Sequence, residues 1–290
     1  MKWSLLMIII DFSGIAVSNV IVQKMNDESM IRHMILNSIR MYRKRYKEKY
    51  GTNIVLACDA GNNWRREYYP QYKANRKKIR DSSDFDWNKA WNVISQVREE
   101  IKENFPYKVI HVDCCEADDI IGTLVEQTQE FGQHEDVMIV SADGDFKQLQ
   151  KYDNVTQFSP LTKKEVKDDN PRLNLMDKIL RGDAGDGVPN VLSHDDTFVN
   201  GDRQTPLSKK KKEAMIQDIS EVAGLSAEWY RNYQRNQKLI DLTQTPQRLK
   251  NEIINEFWLT VPAENTARVL PYLINKQCKM LIESVEEFIK

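Results

Sequence analysis

Apolar positions along the chain fall into two patterns, short unbroken runs and stripes of helical spacing, and their alternation predicts an α/β fold. The runs over Leu5–Ile10, Asn53–Cys58, Tyr107–Val112, Val137–Ser141 and Val155–Ser159 are brief and rich in Ile and Val. Such runs read as strands buried on both faces of a parallel sheet. Between them the spacing lengthens. Glu28–Lys49 carries Met30, Ile31, Met34, Ile35 and Ile39 on one stripe, Trp87–Phe105 carries Trp91, Ile94, Val97 and Ile101, and Ala117–Phe131 carries Ile120, Ile121, Leu124, Val125 and Phe131. These stripes predict helices laid on the sheet. Ser13 and Gly14 predict a turn after the first strand, Phe146–Gln150 a short helix, Lys163–Lys167 a hairpin arm and Leu173–Arg181 a helix. From Asp218 onward the pattern is helical, broken at Pro246, Pro262 and Pro271, with no internal repeat.

The predicted strands deliver carboxylates. Asp11 follows the first run, Asp59 the second, Glu116, Asp118 and Asp119 the third, and Asp143 and Asp145 the fourth. Ligands of open α/β sheets bind at the carboxyl ends of the strands. One acid at a helix start is ordinary, because the helix dipole favours it. Five, Glu116 to Asp145, after two consecutive strands are not. Packed carboxylates raise one another's pKa unless something neutralises them. A divalent cation is the simplest remedy, and oxygen ligands without paired Cys or His select Mg2+ or Mn2+ over zinc.

Composition excludes several classes. Of the 290 residues 41% are hydrophobic and 29% charged, as in a soluble globular protein. The opening apolar run is too short for a membrane span and Asp11 interrupts it, so neither a membrane segment nor a secretory signal is expected. Four scattered cysteines, Cys114 and Cys115 adjacent and Cys58 and Cys278 distant, show no disulfide or zinc spacing and point to a reduced compartment, the cytoplasm.

Charge is unevenly placed. Net charge is -1, but from Arg40 to Arg80 thirteen Lys and Arg face three acids, a local excess of ten. Within that stretch, residues 62–86 interleave aromatics with cations and lack apolar periodicity. The segment is expected to build no core, to be mobile without DNA over Trp64–Arg80, and to order on a single strand through stacking and phosphate contacts. G-D-A-G-D-G-V-P-N-V at 182–191 reads as a tight turn between two helices, with Asp183 and Asp186 three apart and amides able to hold a phosphate or a cation. Lys209–Lys212 reads first as a solvated helix face and second as a DNA contact.

Four motifs in chain order, Y-K-A-N-R at 72–76, E-A-D-D-I-I-G at 116–122, S-A-D-G-D-F-K-Q-L at 141–149 and the turn at 182–191, resemble the 5'-nuclease, or flap endonuclease, superfamily. R-H-M-I-L-N-S-I, W-R-R, K-Y-D-N-V-T-Q-F-S-P and K-I-L-R-G-D resemble in particular its phage-encoded RNase H branch, from about Ile9 to the C-terminus. The resemblance implies a central, mostly parallel sheet flanked by helices (a PIN-like 5'-nuclease fold), a basic arch at about 62–86, a helix-turn-helix DNA-binding element and a helical C-terminal domain. It divides the chain into a nuclease domain over 1–181 and a DNA-binding and helical domain over 182–290. A first metal would fall on Asp11, Asp59, Glu116 and Asp118, and a second on Asp118, Asp143, Asp145 and Asp186, with Asp119 and Asp183 outside them. Asp118 and Asp145 would be catalytic, and Lys73 and Arg76 would steer the scissile phosphate. Tyr72 would stack on nucleic acid beside Arg65 and Arg66, and Gly185, Gly187 and Val188 would form a duplex-binding turn that in relatives can hold K+.

What the resemblance implies is a monomeric 5'-to-3' exonuclease and flap endonuclease using two Mg2+ ions, with Mn2+ able to substitute. It would act on RNA-DNA and DNA-DNA duplexes with a 5' end or flap and remove RNA primers at the replication fork in the host-cell cytoplasm, beside a single-stranded-DNA-binding protein and a sliding clamp. The chain begins almost at its first strand, whereas the resembled phage enzymes carry a preceding segment implicated in clamp contact, so recruitment by that route is not expected. Its 182–191 turn is also richer in glycine than theirs. A binding module that recognises branched DNA without cutting would have lost ligand carboxylates, and none is lost. A phosphomonoesterase would need neither arch nor helix-turn-helix.

Overall fold

The computed structural model describes residues 6–23, 27–76, 85–129, 134–221, 227–262 and 266–289. Six strands, β1 (Met7–Asp11), β2 (Ile54–Cys58), β3 (Lys108–His111), β4 (Val137–Val140), β5 (Val155–Ser159) and β6 (Lys164–Val166), form one sheet in the order β3-β2-β1-β4-β5-β6. β1 to β5 are parallel, and β6 returns antiparallel on β5 as the expected hairpin arm. Register sets Ile10 of β1 beside Leu56 of β2 and Val140 of β4. Every residue of β1, β2 and β4 is buried, which is why these runs show no polar alternation. The chain builds outward from β1 through β2 to β3, then crosses back to place β4 on the other side of β1. That reversal makes the carboxyl ends of β1 and β4 the topological switch point, where such sheets bind ligands.

The chain divides into two compact units that are not linear in sequence. One comprises Met1–Gly61, Phe85–Lys167 and Gln247–Lys290, the other Asn62–Asp84 and Asp168–Pro246. This differs from the linear division at 181/182, and packing supplies the reason. In the first unit, the helix Gln247–Leu259 lies on Ala117–Gln127 and β3. Lys108 Nζ donates to the carbonyls of Phe257 and Thr260, each at 2.6 Å, closing that helix's end. Phe288 is fully buried in the core that holds Ile8, Ile10, Ile35 and Val97, and its carbonyl accepts from the Tyr107 hydroxyl at 3.1 Å. Arg43 donates to the Glu287 carbonyl at 3.0 Å. Residues 247–290 therefore complete the unit that holds the sheet.

The second unit has its own core of Tyr69, Tyr72, Ile179, Leu180, Val188, Val191, Met215 and Tyr233. The expectation of a segment with nothing to pack on is thus corrected over 64–76. Trp64–Tyr68 is helical, and Trp64, Tyr69 and Tyr72 are buried. Residues 77–84, and with them the far end of the expected arch, lie outside the described residues.

Three further expectations are revised. Phe12–Gln23 is a helix where Ser13 and Gly14 suggested a turn, because Asp11 caps its first turn. Pro271 does not break the helix Val269–Asn275 but sits in its first turn, where a backbone N–H has no intrahelical partner to lose. Between Pro171–Arg181 and the next long helix, Lys209–Glu221, stand a 3-10 turn at Ala184–Asp186 and the short helix Thr197–Asn200, so the 182–191 turn does not join two long helices directly. Among the described residues no helix is long and apolar enough to cross a membrane.

Helix Glu28–Tyr50 is tied to Trp87–Asn104 through Glu100, which is 8% exposed. Its carboxylate accepts from Arg32 at 2.8 Å, from the Tyr272 hydroxyl at 2.7 Å and from Lys276 at 2.6 Å. Burial acts to raise its pKa, but hydrogen bonds from Arg32, Lys276, Tyr272 and Gln96 outweigh it and hold the carboxyl at about 2. A depressed carboxyl stabilises the fold fully above its unfolded pKa, near 4.5, and that contribution is lost as pH falls toward 2. Glu100→Gln should therefore cost on the order of 3 kcal/mol at neutral pH, and leave Arg32 a buried charge with one partner fewer. Urea unfolding at pH 7 and pH 3 should show the gap between wild type and variant narrowing in acid; a constant gap would refute the assignment.

Candidate active site

Asp11 ends β1 and begins the Phe12–Gln23 helix, so one carboxylate serves sheet, helix and site. Its Oδ1 accepts from the Gly14 N–H at 2.8 Å and its Oδ2 from the Ser141 hydroxyl at 2.7 Å. Gly14 is required by proximity: a Cβ there would stand 2.4 Å from Asp11 Oδ2 and 2.8 Å from Cγ. Only 9% of Asp11 is exposed. Burial, then the charge of Asp59, push its pKa up to about 6, against hydrogen bonds from Gly14 and Ser141, with Asp143 adding to the rise. Carboxylates delivered by β1, β2 and β4 thus act on one another.

Asp59 follows β2 and is exposed, yet its ends are fixed. Its Oδ1 accepts from the Ala117 N–H at 2.7 Å, and its own N–H donates to Ser13 Oγ at 3.3 Å. The chain turns after β3 through Cys114, in the left-handed region at φ 64°, and the Cys115 carbonyl accepts from Ala60 at 2.9 Å. Glu116 then opens the helix Ala117–Gln127 with a reciprocal cap: its side chain accepts from the Asp119 N–H, and Asp119 Oδ2 accepts from the Glu116 N–H at 2.9 Å. Asp119 is fully buried in that role, Glu116 is buried, and Asp118 beside them is half-buried.

Beyond β4, the Asp143 N–H donates to Ser141 Oγ at 3.1 Å, and Asp143 Oδ1 accepts from the Asp145 N–H at 2.8 Å, opening the 3-10 helix Gly144–Lys151. Gln157 on β5, 1% exposed, donates to the carbonyls of Ser141 at 3.1 Å and Asp143 at 2.6 Å. Sequence reasoning did not single out Gly14, Ser13, Ser141 or Gln157 as supports. The signal for Gln157 was present, a lone amide inside an apolar strand. Among the described residues no three His, Cys, Asp or Glu side chains already converge as a coordination sphere. The donor chemistry nonetheless fits a hard divalent cation: every donor is a carboxylate, and Asp11 is raised by burial and then by its acidic neighbours.

In the second unit, Asp183 caps the Ala184–Asp186 turn, accepting from the Asp186 N–H at 3.2 Å. Lys178 Nζ lies 2.9 Å from its Oδ2. Burial works to raise its pKa, but Lys178 prevails and lowers it. Asp183 and Val188 exchange backbone hydrogen bonds at 2.8 Å, which closes the turn. Gly187 has φ +73°, and a Cβ there would meet the Gln71 carbonyl at 3.1 Å. Gly182, not singled out from sequence, has φ +71° and leaves only 2.3 Å to the Val188 carbonyl. Gly185 is exposed and needs no left-handed backbone.

Several nucleic-acid assignments are corrected by burial. Arg65 is 2% exposed; its Nε donates to the Leu239 carbonyl at 2.9 Å and its guanidinium stacks on Trp64. Tyr72, 3% exposed, presents no open stacking face, and its hydroxyl donates to Asp186 Oδ2 at 3.0 Å. Val188 is 1% exposed and belongs to the core. Arg66 and Arg76 are exposed, and Lys73 is half-buried. Lys209, Lys210 and Lys211 form an exposed face, while Lys212 pairs with Asp177.

Two protein-family models match the chain: "5'-3' exonuclease, N-terminal resolvase-like domain" over residues 7–175, and "T4 RNase H, C terminal" over 169–288. Ribonuclease H of Enterobacteria phage T4 is 35% identical over a 292-residue alignment, which covers 97% of this chain and 95% of that protein. An exonuclease of Escherichia phage T7 is 29% identical over 174 residues, covering 59% of this chain and 54% of its own. Among solved structures, a flap endonuclease of bacteriophage T5 in complex with DNA and metal ions superposes with a TM-score of 0.63 at 19% identity, covering 97% of this chain and 99% of that one. A T5 5'-exonuclease with divalent zinc ions gives 0.58 at 16% identity, covering 98% and 99%. At these identities the structural likeness concerns the fold.

The close approach at Gly14 yields a sharp test. Gly14→Ala improves helix propensity by about 1 kcal/mol, so the fold should survive, but the new methyl must displace the Asp11 carboxylate. Catalysed phosphodiester cleavage should fall at least about tenfold, equivalent to about 1.4 kcal/mol of barrier, with the circular dichroism spectrum unchanged. Cleavage at the wild-type rate would show that Asp11 need not sit where Gly14 allows it.

Proposed function

The chain belongs to the 5'-3' exonuclease family, and from that premise we propose that it is a divalent-metal-dependent 5'-nuclease, exonuclease and flap endonuclease, cutting phosphodiesters at the 5' end of RNA-DNA and DNA-DNA duplexes. The observation that carries the reading is the set of carboxylates at the switch point, with Asp11 pushed to about 6 by burial and by Asp59. Asp11, Asp59, Glu116, Asp118, Asp143 and Asp145 are the proposed holders of two metal ions, with Asp186 assigned to the second by the resemblance alone, Mg2+ by preference with Mn2+ substituting. When bound, such ions make water a nucleophile at neutral pH and offset charge on the leaving oxygen. No side chain need attack.

The chain's own residues do the positioning. Ser141 and Gly14 fix the Asp11 carboxylate, Asp119 fixes Glu116, and Gln157 holds the loop that carries Asp143. Lys73 and Arg76 are the proposed receivers of the scissile phosphate, and Arg66 an outlying nucleic-acid contact. The turn around Gly185 and Gly187 is the proposed grip on duplex backbone and the place for a K+ ion. RNA-primer removal at a replication fork in the host cytoplasm, beside a single-stranded-DNA-binding protein and a clamp, is the setting proposed. A non-cleaving branched-DNA binder is not favoured, because every ligand carboxylate is retained.

The direct experiment offers a 5'-labelled RNA-DNA hybrid and a 5'-flap DNA to the protein with Mg2+ and with EDTA. Short labelled products are expected with Mg2+ alone; cutting that persists in EDTA, or none in Mg2+, would overturn the reading. Lys73→Ala with Arg76→Ala should slow single-turnover cleavage at least about tenfold, the scale of a lost phosphate-orienting contact, and weaken flap binding far less. Equal losses of binding and rate would give these cations no part in positioning.

A further inference from the structure

The side chain of Asp186 takes contacts from the segment Tyr72–Arg76 of its own unit. Its Oδ2 accepts from the Tyr72 hydroxyl at 3.0 Å, Lys73 Nζ stands 3.6 Å from the same oxygen, and the Arg76 guanidinium donates to Oδ1. The backbone reinforces the pairing: the Lys73 N–H donates to the Asp186 carbonyl at 2.8 Å. Lys73 adopts φ +56°, a conformation uncommon outside glycine, so main chain and side chain are both turned toward Asp186. Gly187 leaves room for the Gln71 carbonyl. The segment 71–76 and the turn 183–187 are thus built onto one another, and Tyr72 anchors the join from the core.

We propose that Asp186 is a positioning residue for Lys73 and Arg76: with Tyr72 it parks both cations on an internal carboxylate, from which a substrate phosphate takes them by exchange. The proposal rests on the reading that these two cations receive a phosphate. A carboxylate and a phosphodiester both offer two oxygens sharing one negative charge, so a guanidinium and an ammonium satisfied by one fit the other. Exposure orders the exchange. The Arg76 side chain is 49% exposed and that of Lys73 12%, so Arg76 is released to an incoming phosphate first. A partly exposed ion pair is weak and readily exchanged. In the metal-free protein the parked cations add little to affinity, which is why removing them should slow cleavage more than it weakens binding.

The test is a double-mutant cycle on equilibrium binding of 5'-flap DNA in EDTA, read by fluorescence anisotropy across a salt series. Asp186→Asn should tighten binding by about fivefold in the background that keeps Lys73 and Arg76, and by less than about twofold in the Lys73→Ala, Arg76→Ala background, a coupling in the range of contacting residues. The freed cations should also steepen the dependence of log affinity on log salt, by about 0.9 for each phosphate newly engaged. Tyr72→Phe keeps the ring in the core and all charges in place, and should tighten binding in the same sense by a smaller factor. Equal tightening in both backgrounds would mean only that a negative charge had been removed, and would overturn the proposal. So would unchanged affinity in both Asp186→Asn and Tyr72→Phe. The underlying reading fails separately: a Lys73→Ala, Arg76→Ala protein that cleaves at the wild-type rate refutes the phosphate role whatever the binding cycle shows.

Discussion

Mutual repulsion among carboxylates at the carboxyl edge of β1, β2 and β4 is the constraint around which the first unit is arranged. Parallel strands cannot avoid it, because each delivers the residue after its last at the same edge. Local donors manage the charge without abolishing it. Asp11 is held by a backbone amide and a hydroxyl, both neutral, and remains raised. Asp119 is diverted fully into a cap. The fold thus keeps an unfavourable concentration of charge at the site proposed for a cation and a phosphate. Binding free energy of those ligands can offset what the metal-free protein bears.

The second unit solves the same problem differently. Asp183 is compensated by Lys178, and Asp186 by Lys73 and Arg76. Its acids are neutralised from within, so the turn is complete before any ligand arrives. The contrast explains why a single carboxylate-rich sequence signature covers two kinds of chemistry. Asp11, held by neutral donors, stays raised, whereas Asp183 and Asp186, already paired with cations, hold those cations in place.

How much was legible follows from how local each feature is. The five parallel strands were legible because burial on both faces removes polar alternation, and the acids because each follows its strand directly. The Phe12–Gln23 helix was not: Ser13-Gly14 has the composition of a turn, and only the approach of Asp11 to Gly14 makes it a helix start. The aromatics of 64–72 were read as stacking surfaces because composition does not say which way a ring faces; Tyr69 and Tyr72 face a core whose other members lie a hundred residues further along the chain. The return of 247–290 to the first unit depends on Lys108, Tyr107 and Arg43. No window of sequence contains both partners. Among the glycines, only backbone geometry separates Gly182 and Gly187, which need the left-handed region, from Gly185, which does not.

The most direct measurement of the central claim is the melting temperature with Mg2+ and with EDTA as a function of pH. Asp11 is raised from 3.8 to about 6 in the folded protein. A raised carboxyl contributes stability below its unfolded pKa and loses it as pH rises through the folded one, so above about pH 6 the metal-free protein bears the full cost of burying that charge beside Asp59. The increment given by Mg2+ should be large near pH 7.5 and shrink toward pH 5. An increment that is the same at both, or absent near pH 7.5, would contradict the account.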